Sequence, residues 1–302
     1  MTGSRGFVGS ALVPFLREKG YEVIRLVHTR AHLEPDMLYW DPQTGSVANA
    51  SFEGFDAVIH LAGESIAGGL WTKRKKERIF LSRCRDTWLL SQILTRLSKP
   101  PKTVICASAI GFYGNRGVER LTERSSPGSG FLADTCVKWE AATESLTHQS
   151  IRVVHARFGM VLAPQGGMLK RLALPIRWGL GCYFGKGDQI VSWITRDDLL
   201  GILYHILERV DLSGAVNCVA PQTLTQKEFT QTCAKHLHRK AFLSFPAPLA
   251  HLFFGQMAEE LLLASQNVVP ERLLKSGYVF LSPTLDAALS RAFGSRGNIP
   301  KF

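Results

Sequence analysis

The 302-residue sequence contains no uninterrupted apolar run of the roughly 18 residues that a membrane-crossing helix needs. Its greasiest stretch, Leu249 to Ala264, is broken by His251, Glu259 and Glu260. Behind Met1-Thr2-Gly3-Ser4 there is no basic cluster leading into an apolar core, so neither a secretory signal nor a transit peptide is expected. The six cysteines, Cys84, Cys106, Cys136, Cys182, Cys218 and Cys233, include no C-x-x-C pair. Without that spacing no metal is expected, and a reducing cytoplasm is the expected location. Acidic residues are scarce, 25 against 36 basic ones for a net charge of +11, yet no basic tail exists. Only Lys73-Arg74-Lys75-Lys76 with Arg78 forms a run. Because that run opens a long helical segment, it reads as a solvated helix face, and neither nucleic acid nor a membrane is expected as a partner. With 45% hydrophobic and 20% charged residues the chain is not disordered, and its length fits two domains or one enlarged one.

What is present is an alternation of two hydrophobic periods. Phe7 to Lys19 places Phe7, Val8, Leu12, Phe15 and Leu16 at helical spacing; Gly20 stops it, and Tyr21 to Val27 reads as a strand. A short apolar run from Asp56 to Ala62, a long helix from Thr72 to Leu97 and a buried strand from Thr103 to Ala107 follow. Helix Leu132 to Leu146 and strand Arg152 to Ala156 repeat the pattern. Val/Ile-rich strands separated by helices of a dozen or more residues require β-α-β crossovers and a parallel sheet covered on both faces, a doubly wound α/β fold. Residues 1-160 are expected to form a dinucleotide-binding domain, completed by about 188-220. Residues 161-187 and 221-302 are expected to form a smaller, α-rich substrate domain, with Gly294 to Phe302 as a loose tail.

Gly3-Ser4-Arg5-Gly6-Phe7-Val8-Gly9 is a G-x-x-G-x-x-G loop running into a helix, where small residues let backbone N–H groups approach a pyrophosphate. No Asp or Glu stands about twenty residues beyond it to take a ribose 2′-hydroxyl. Arg30, His28 and Arg5 stand where they can take a 2′-phosphate instead, so NADP is expected ahead of NAD. A strand of five or six residues should precede such a loop, and only Met1 and Thr2 do. The first strand of the sheet is therefore expected to be missing, with a start lying upstream of Met1 as the simplest account.

Several motifs carry a resemblance: the glycine loop, Trp40-Asp41-Pro42, His60-Leu61-Ala62-Gly63-Glu64, Arg83 with Thr87, Ser108 through Gly114, Gly130-Phe131-Leu132-Ala133, Trp139-Glu140, and Trp193-Ile194 with Asp197-Asp198. Together they resemble the extended short-chain dehydrogenases/reductases, within them the atypical NAD-dependent epimerase/dehydratase-like group that ends in a C-terminal domain of unknown function. The resemblance implies a Rossmann-type sheet. It also implies that Leu61, Ala62, Gly63, Glu64, Arg83 and Arg157 line the cofactor site, and that the two long helices pair in a homodimer. Typical members use a Tyr-x-x-x-Lys pair and an upstream Ser. Ser108 matches the Ser and Lys138 the Lys, but Asp134 stands where the Tyr belongs. Tyr113 either projects into the same cleft or packs on a turn; Asp134 either accepts a proton or caps a helix. Two functions compete. One is an NADP-binding oxidoreductase or epimerase acting on a small carbonyl or sugar-like molecule. The other is a catalytically degenerate NADP-binding module or redox sensor acting through a protein partner.

Overall fold

A computed structural model describes residues 1–28, 32–42, 52–164 and 166–293. The chain begins with α1 (Gly9–Glu18), β1 (Arg25–Val27), β2 (Met37–Tyr39), β3 (Ala57–His60), α2 (Lys73–Leu94) and β4 (Thr103–Ala109). A 3₁₀ turn at Ile110–Tyr113 leads to β5 (Arg120–Leu121), α3 (Phe131–Ala141), α4 (Glu144–Thr147), β6 (Arg152–Phe158) and β7 (Met160–Ala163). Next come α5 (Gly167–Arg177), β8 (Cys182–Phe184), β9 (Ile190–Val191), β10 (Trp193–Thr195), α6 (Arg196–Glu208) and β11 (Gly214–Cys218). The rest holds β12 (Leu224–Thr225), α7 (Gln226–His236), β13 (Leu243–Phe245), α8 (Ala247–Phe254), a π turn at Ala258–Leu262, β14 (Asn267–Val268), α9 (Glu271–Lys275) and α10 (Leu285–Phe293).

Two compact units divide these elements. The first comprises Met1–Ala109, Asp134–Arg157 and Leu200–Val216. Its sheet has the order β11-β6-β4-β3, with β3 and β4 parallel from the Ala57–Thr103 pair to His60–Cys106. Six of the seven β4 residues are buried, as expected of a continuous Val/Ile/Cys/Ala run covered on both faces. Leu26, Trp40, Val58, Leu90, Leu94 and Val104 belong to one core cluster, so the Trp40-Asp41-Pro42 motif supplies a fully buried anchor. Thr72 starts α2 by accepting a hydrogen bond from the Lys75 N–H at 3.2 Å. Arg152 donates to the carbonyls of Ile206, Arg209 and Leu212, satisfying orphan groups at the end of α6.

The slot of the expected missing strand is partly filled. Thr2 pairs in parallel with His60 and donates to the Ile59 carbonyl at 3.0 Å; the Met1 carbonyl accepts from Leu26 at 2.7 Å, and the Met1 amine donates to Ile24 at 2.6 Å. Two residues thus join β1 to β3. Beside them lies an open pocket of about 480 Å³, whose mostly apolar wall of Leu16, Ile24, Val58, Ile59 and Leu94 also carries Glu22, Asp56 and Lys102. Burial lowers the pKa of the Met1 amine to about 5.

Local corrections have physical causes. Strand Tyr21 to Val27 shrinks to three residues, because the slot offers pairing only at its end. Helix Leu132 to Leu146 breaks at Ala142–Thr143, where the Thr143 hydroxyl bonds back to the Glu140 carbonyl at 2.8 Å. Lys75 does not face water: it is buried with its Nζ 2.5 Å from Glu64 Oε1.

The second unit comprises Ile110–Ala133, Phe158–Leu199 and the chain from Asn217 onward. Its strands form short pairs: β7 with β10, β8 with β13 and β5 with β14 in parallel, β9 with β12 antiparallel. Asp198 ties a distant segment to α6. Fully buried, it accepts from the Leu281 and Ser282 N–H groups at 2.7 and 3.0 Å and so fastens residues 281–282 to the start of α6.

Candidate functional site

In the first unit the glycine loop closes on itself, with the Gly6 N–H donating to the Gly3 carbonyl at 2.9 Å. Gly3 has φ +67°, and a Cβ there would stand 2.7 Å from the Leu61 carbonyl carbon; one on Gly9 would stand 2.1 Å from the Gly3 oxygen. Only glycine fits either place. Val8 precedes α1 with no side-chain cap, and the first turn carries no acidic residue. The positive end of α1 is left for an external anion, which is the donor set a pyrophosphate requires. Within the loop Ser4 is buried, Arg5 exposed, and Phe7 and Val8 half-buried.

A buried polar chain holds the turn after β3. Thr2 Oγ1 accepts from the Leu61 and Ala62 N–H groups at 3.1 and 3.2 Å, so its own proton goes to His60 Nδ1 at 2.7 Å. His60 Nε2 then carries the ring proton and donates to Thr87 Oγ1 at 2.9 Å, which also accepts from Trp139 Nε1 at 3.0 Å. Burial lowers the His60 pKa to about 4, keeping the ring neutral. Arg83 lies under Gly63, donates to the Glu64 carbonyl at 2.9 Å and stacks over Trp139 at 5.1 Å. Through that carbonyl bond it braces the Leu61–Glu64 turn. The Glu64 carboxylate is drawn below the usual carboxylate range by Lys75. His28, exposed at the end of β1, bonds through Nδ1 to the Trp40 carbonyl at 3.0 Å; Arg30 lies outside the described residues.

Ser108, next to last in β4, donates from its Oγ to Glu140 Oε1 at 2.7 Å. Arg157 clamps the same carboxylate as a fork, Nε to Oε1 at 2.8 Å and Nη2 to Oε2 at 2.7 Å. Thr143 spends its proton on the Glu140 carbonyl, so His155 Nε2, 2.8 Å from the Thr143 oxygen, is the donor there. His155 Nδ1 is therefore unprotonated in the neutral ring, 4.0 Å from Glu140 Oε2, and burial pushes its pKa down. Ser108 and Arg157 are both buried. Asp134 and Lys138 stand one turn apart on α3, both exposed, with Lys138 Nζ 5.4 Å from the Phe80 ring. Tyr113 belongs to the second unit: it is fully buried and donates to Asn217 Oδ1 at 2.7 Å.

The structure thus brings Ser108 and Arg157 together through Glu140, puts Asp134 beside Lys138, and seats the Tyr113 hydroxyl on Asn217. Glu140 entered the sequence reading only as half of the Trp139-Glu140 motif, and His155 and Thr2 not as site residues at all. A signal for the first existed: an arginine closing the apolar strand Arg152–Phe158 needs a buried carboxylate, and Glu140 follows the apolar Trp139.

The model of the NAD-dependent epimerase/dehydratase family matches residues 1–218. The chain belongs to that family. Residues 245–292 match a domain of unknown function, DUF1731. Among similar family members, the epimerase family protein Mb2239 of Mycobacterium bovis is 37% identical over 292 residues, 97% of this chain and 96% of its own. Human epimerase family protein SDR39U1 is 36% identical over 291 residues, 95% of this chain and 96% of its own. The crystal structure of the human protein, isoform 2 with NADPH, matches with a TM-score of 0.89 at 34% identity, covering 97% of this chain and 98% of that one. The resemblance read from the sequence motifs is borne out, and so is the doubly wound α/β fold.

Proposed function

We propose that this family member binds NADP and acts as an oxidoreductase or epimerase on a small carbonyl or sugar-like molecule. The glycine cradle of Gly3 and Gly9 at the uncapped start of α1 carries the reading, and the human relative crystallised with NADPH supports it. Gly3 through Gly9 hold the pyrophosphate; Arg5, His28 and Arg30 take the 2′-phosphate. Leu61, Ala62, Gly63 and Glu64 line the nucleotide, braced from behind by Arg83. Bound NADP supplies a hydride acceptor, or a donor in its reduced form. The Ser108 hydroxyl donates its hydrogen bond to Glu140, so its oxygen can accept a hydrogen bond from a substrate hydroxyl group. Asp134 and Lys138 stand exposed on one face of α3, where they can meet a polar substrate.

The second reading, a nucleotide-binding module without turnover, draws support from Tyr113, whose buried hydroxyl is bonded to Asn217. Single-turnover assays of NADPH-loaded protein against a panel of carbonyl compounds separate the two. Oxidation of the nucleotide with any of them supports the enzyme; retention of NADPH with none supports the module. The six thiols suit a reducing compartment such as the cytoplasm. A homodimer through α2 and α3 would cover Trp88 and Val137, both exposed on those helices.

A further inference from the structure

Two stretches of the second unit hold no Asp or Glu at all: 160 to 187 and 229 to 258. The first carries Lys170, Arg171, Arg177 and Lys186, the second Lys235, Arg239 and Lys240. They lie side by side. Parallel strands β8 and β13 pair from Cys182–Leu243 to Phe184–Phe245, Arg239 Nε donates to the Arg177 carbonyl at 3.1 Å, and Gly181 packs directly on Ala241. The same stretches present large apolar side chains to solvent. Trp178 is 77% exposed, Leu180 60% and Phe242 68%, and on the following helix α8 Leu252 and Phe253 are 76% and 59% exposed. Two carboxylates reach these stretches, Asp286 on His236 at 2.9 Å and Glu260 on Gln256 at 2.7 Å, and the seven Lys and Arg outnumber them. Scattered single apolar residues need no explanation, but aromatic residues gathered in a predominantly basic surrounding do.

We propose that this face is a docking surface for an anionic lipid bilayer. Trp and Phe seat at the headgroup boundary while Lys and Arg meet acidic headgroups, the pairing by which peripheral proteins lie on a membrane. Helix α8 has eight residues, Ala247–Phe254, none of them Asp, Glu, Lys or Arg; that is too short to cross and suited to lie flat. No helix among the described residues is long and apolar enough to cross a membrane, so contact is at the surface alone. A second copy of the chain is disfavoured by charge. A two-fold interface would set this patch against itself, Lys and Arg facing Lys and Arg.

Flotation of the whole chain with vesicles tests this. Phosphatidylcholine vesicles containing about 30% phosphatidylglycerol are expected to carry at least tenfold more protein than phosphatidylcholine alone, with the difference shrinking in high salt. Trp178→Ser with Phe242→Ser should cut binding to the anionic vesicles at least tenfold. Arg239→Gln with Lys240→Gln should cut it further than either change alone, roughly fivefold per charge. Circular dichroism and NADPH titration, unchanged in both variants, establish that they fold. Three results overturn the proposal: equal flotation with neutral and anionic vesicles, wild-type flotation by the folded Trp178/Phe242 variant, or no flotation together with a dimer that this variant abolishes.

Discussion

Glu140 gathers four groups, Ser108, Arg157, His155 and Thr143, at the ends of β4 and β6. Removing a partner from a buried ion pair leaves a charge stranded, so Glu140→Ala should destabilise the chain by about 3–5 kcal/mol in urea unfolding. Glu140→Gln should cost less, since it still accepts from Ser108. His60 sets a pH dependence. Its pKa is about 4 in the fold and about 6.5 in an unfolded chain, so below pH 6.5 the unfolded state takes up the proton first. Stability is full above that value and declines towards pH 4, by about 3 kcal/mol in the limit. Urea midpoints at neutral pH and near pH 4 should differ less in His60→Asn. For the nucleotide, fluorescence titration should give NADPH at least a tenfold advantage over NADH, about 1.4 kcal/mol. Arg5→Ala and Arg30→Ala should each narrow it. Equal affinities would remove the 2′-phosphate assignment.

Elements were legible where the hydrophobic period is local. Gly3 through Gly9 with the helix behind them, the Thr103–Ala109 run and the Thr72 start of α2 follow from spacing and capping alone. Contacts distant in sequence were not. Nothing in Arg120–Leu121 announces pairing with Asn267–Val268, and the burial of Lys75 depends on Glu64, eleven residues away on another element. The catalytic candidates fared unevenly for the same reason. Ser108 is readable as the end of a strand, whereas its bond to Glu140 spans 32 residues. At the slot between β1 and β3, the pocket of about 480 Å³ leaves apolar walls without contact. Fusing a five-residue Val/Ile strand ahead of Met1 should raise the melting temperature by at least about 3 °C, the shift of roughly 2 kcal/mol in a chain of this size. A melting point unchanged by the fusion would mean that the pocket does not accept a strand.

At the scale of the whole molecule, sedimentation tests the proposed homodimer. Trp88 is 50% exposed on α2, and Trp88→Glu should turn a dimer into a monomer at micromolar concentration while leaving NADPH affinity as it was. The Met1 amine has a practical consequence as well. Because it donates to Ile24 between two strands and faces the mostly apolar pocket, whatever is fused to it must begin inside the sheet. A hexahistidine tag placed there would press imidazoles against the Met1, Ile24 and Ile59 side of that pocket, and the same tag at the other terminus is the comparison. Purified in the two forms, the protein tagged ahead of Met1 is the one expected to melt lower and to hold its nucleotide more weakly.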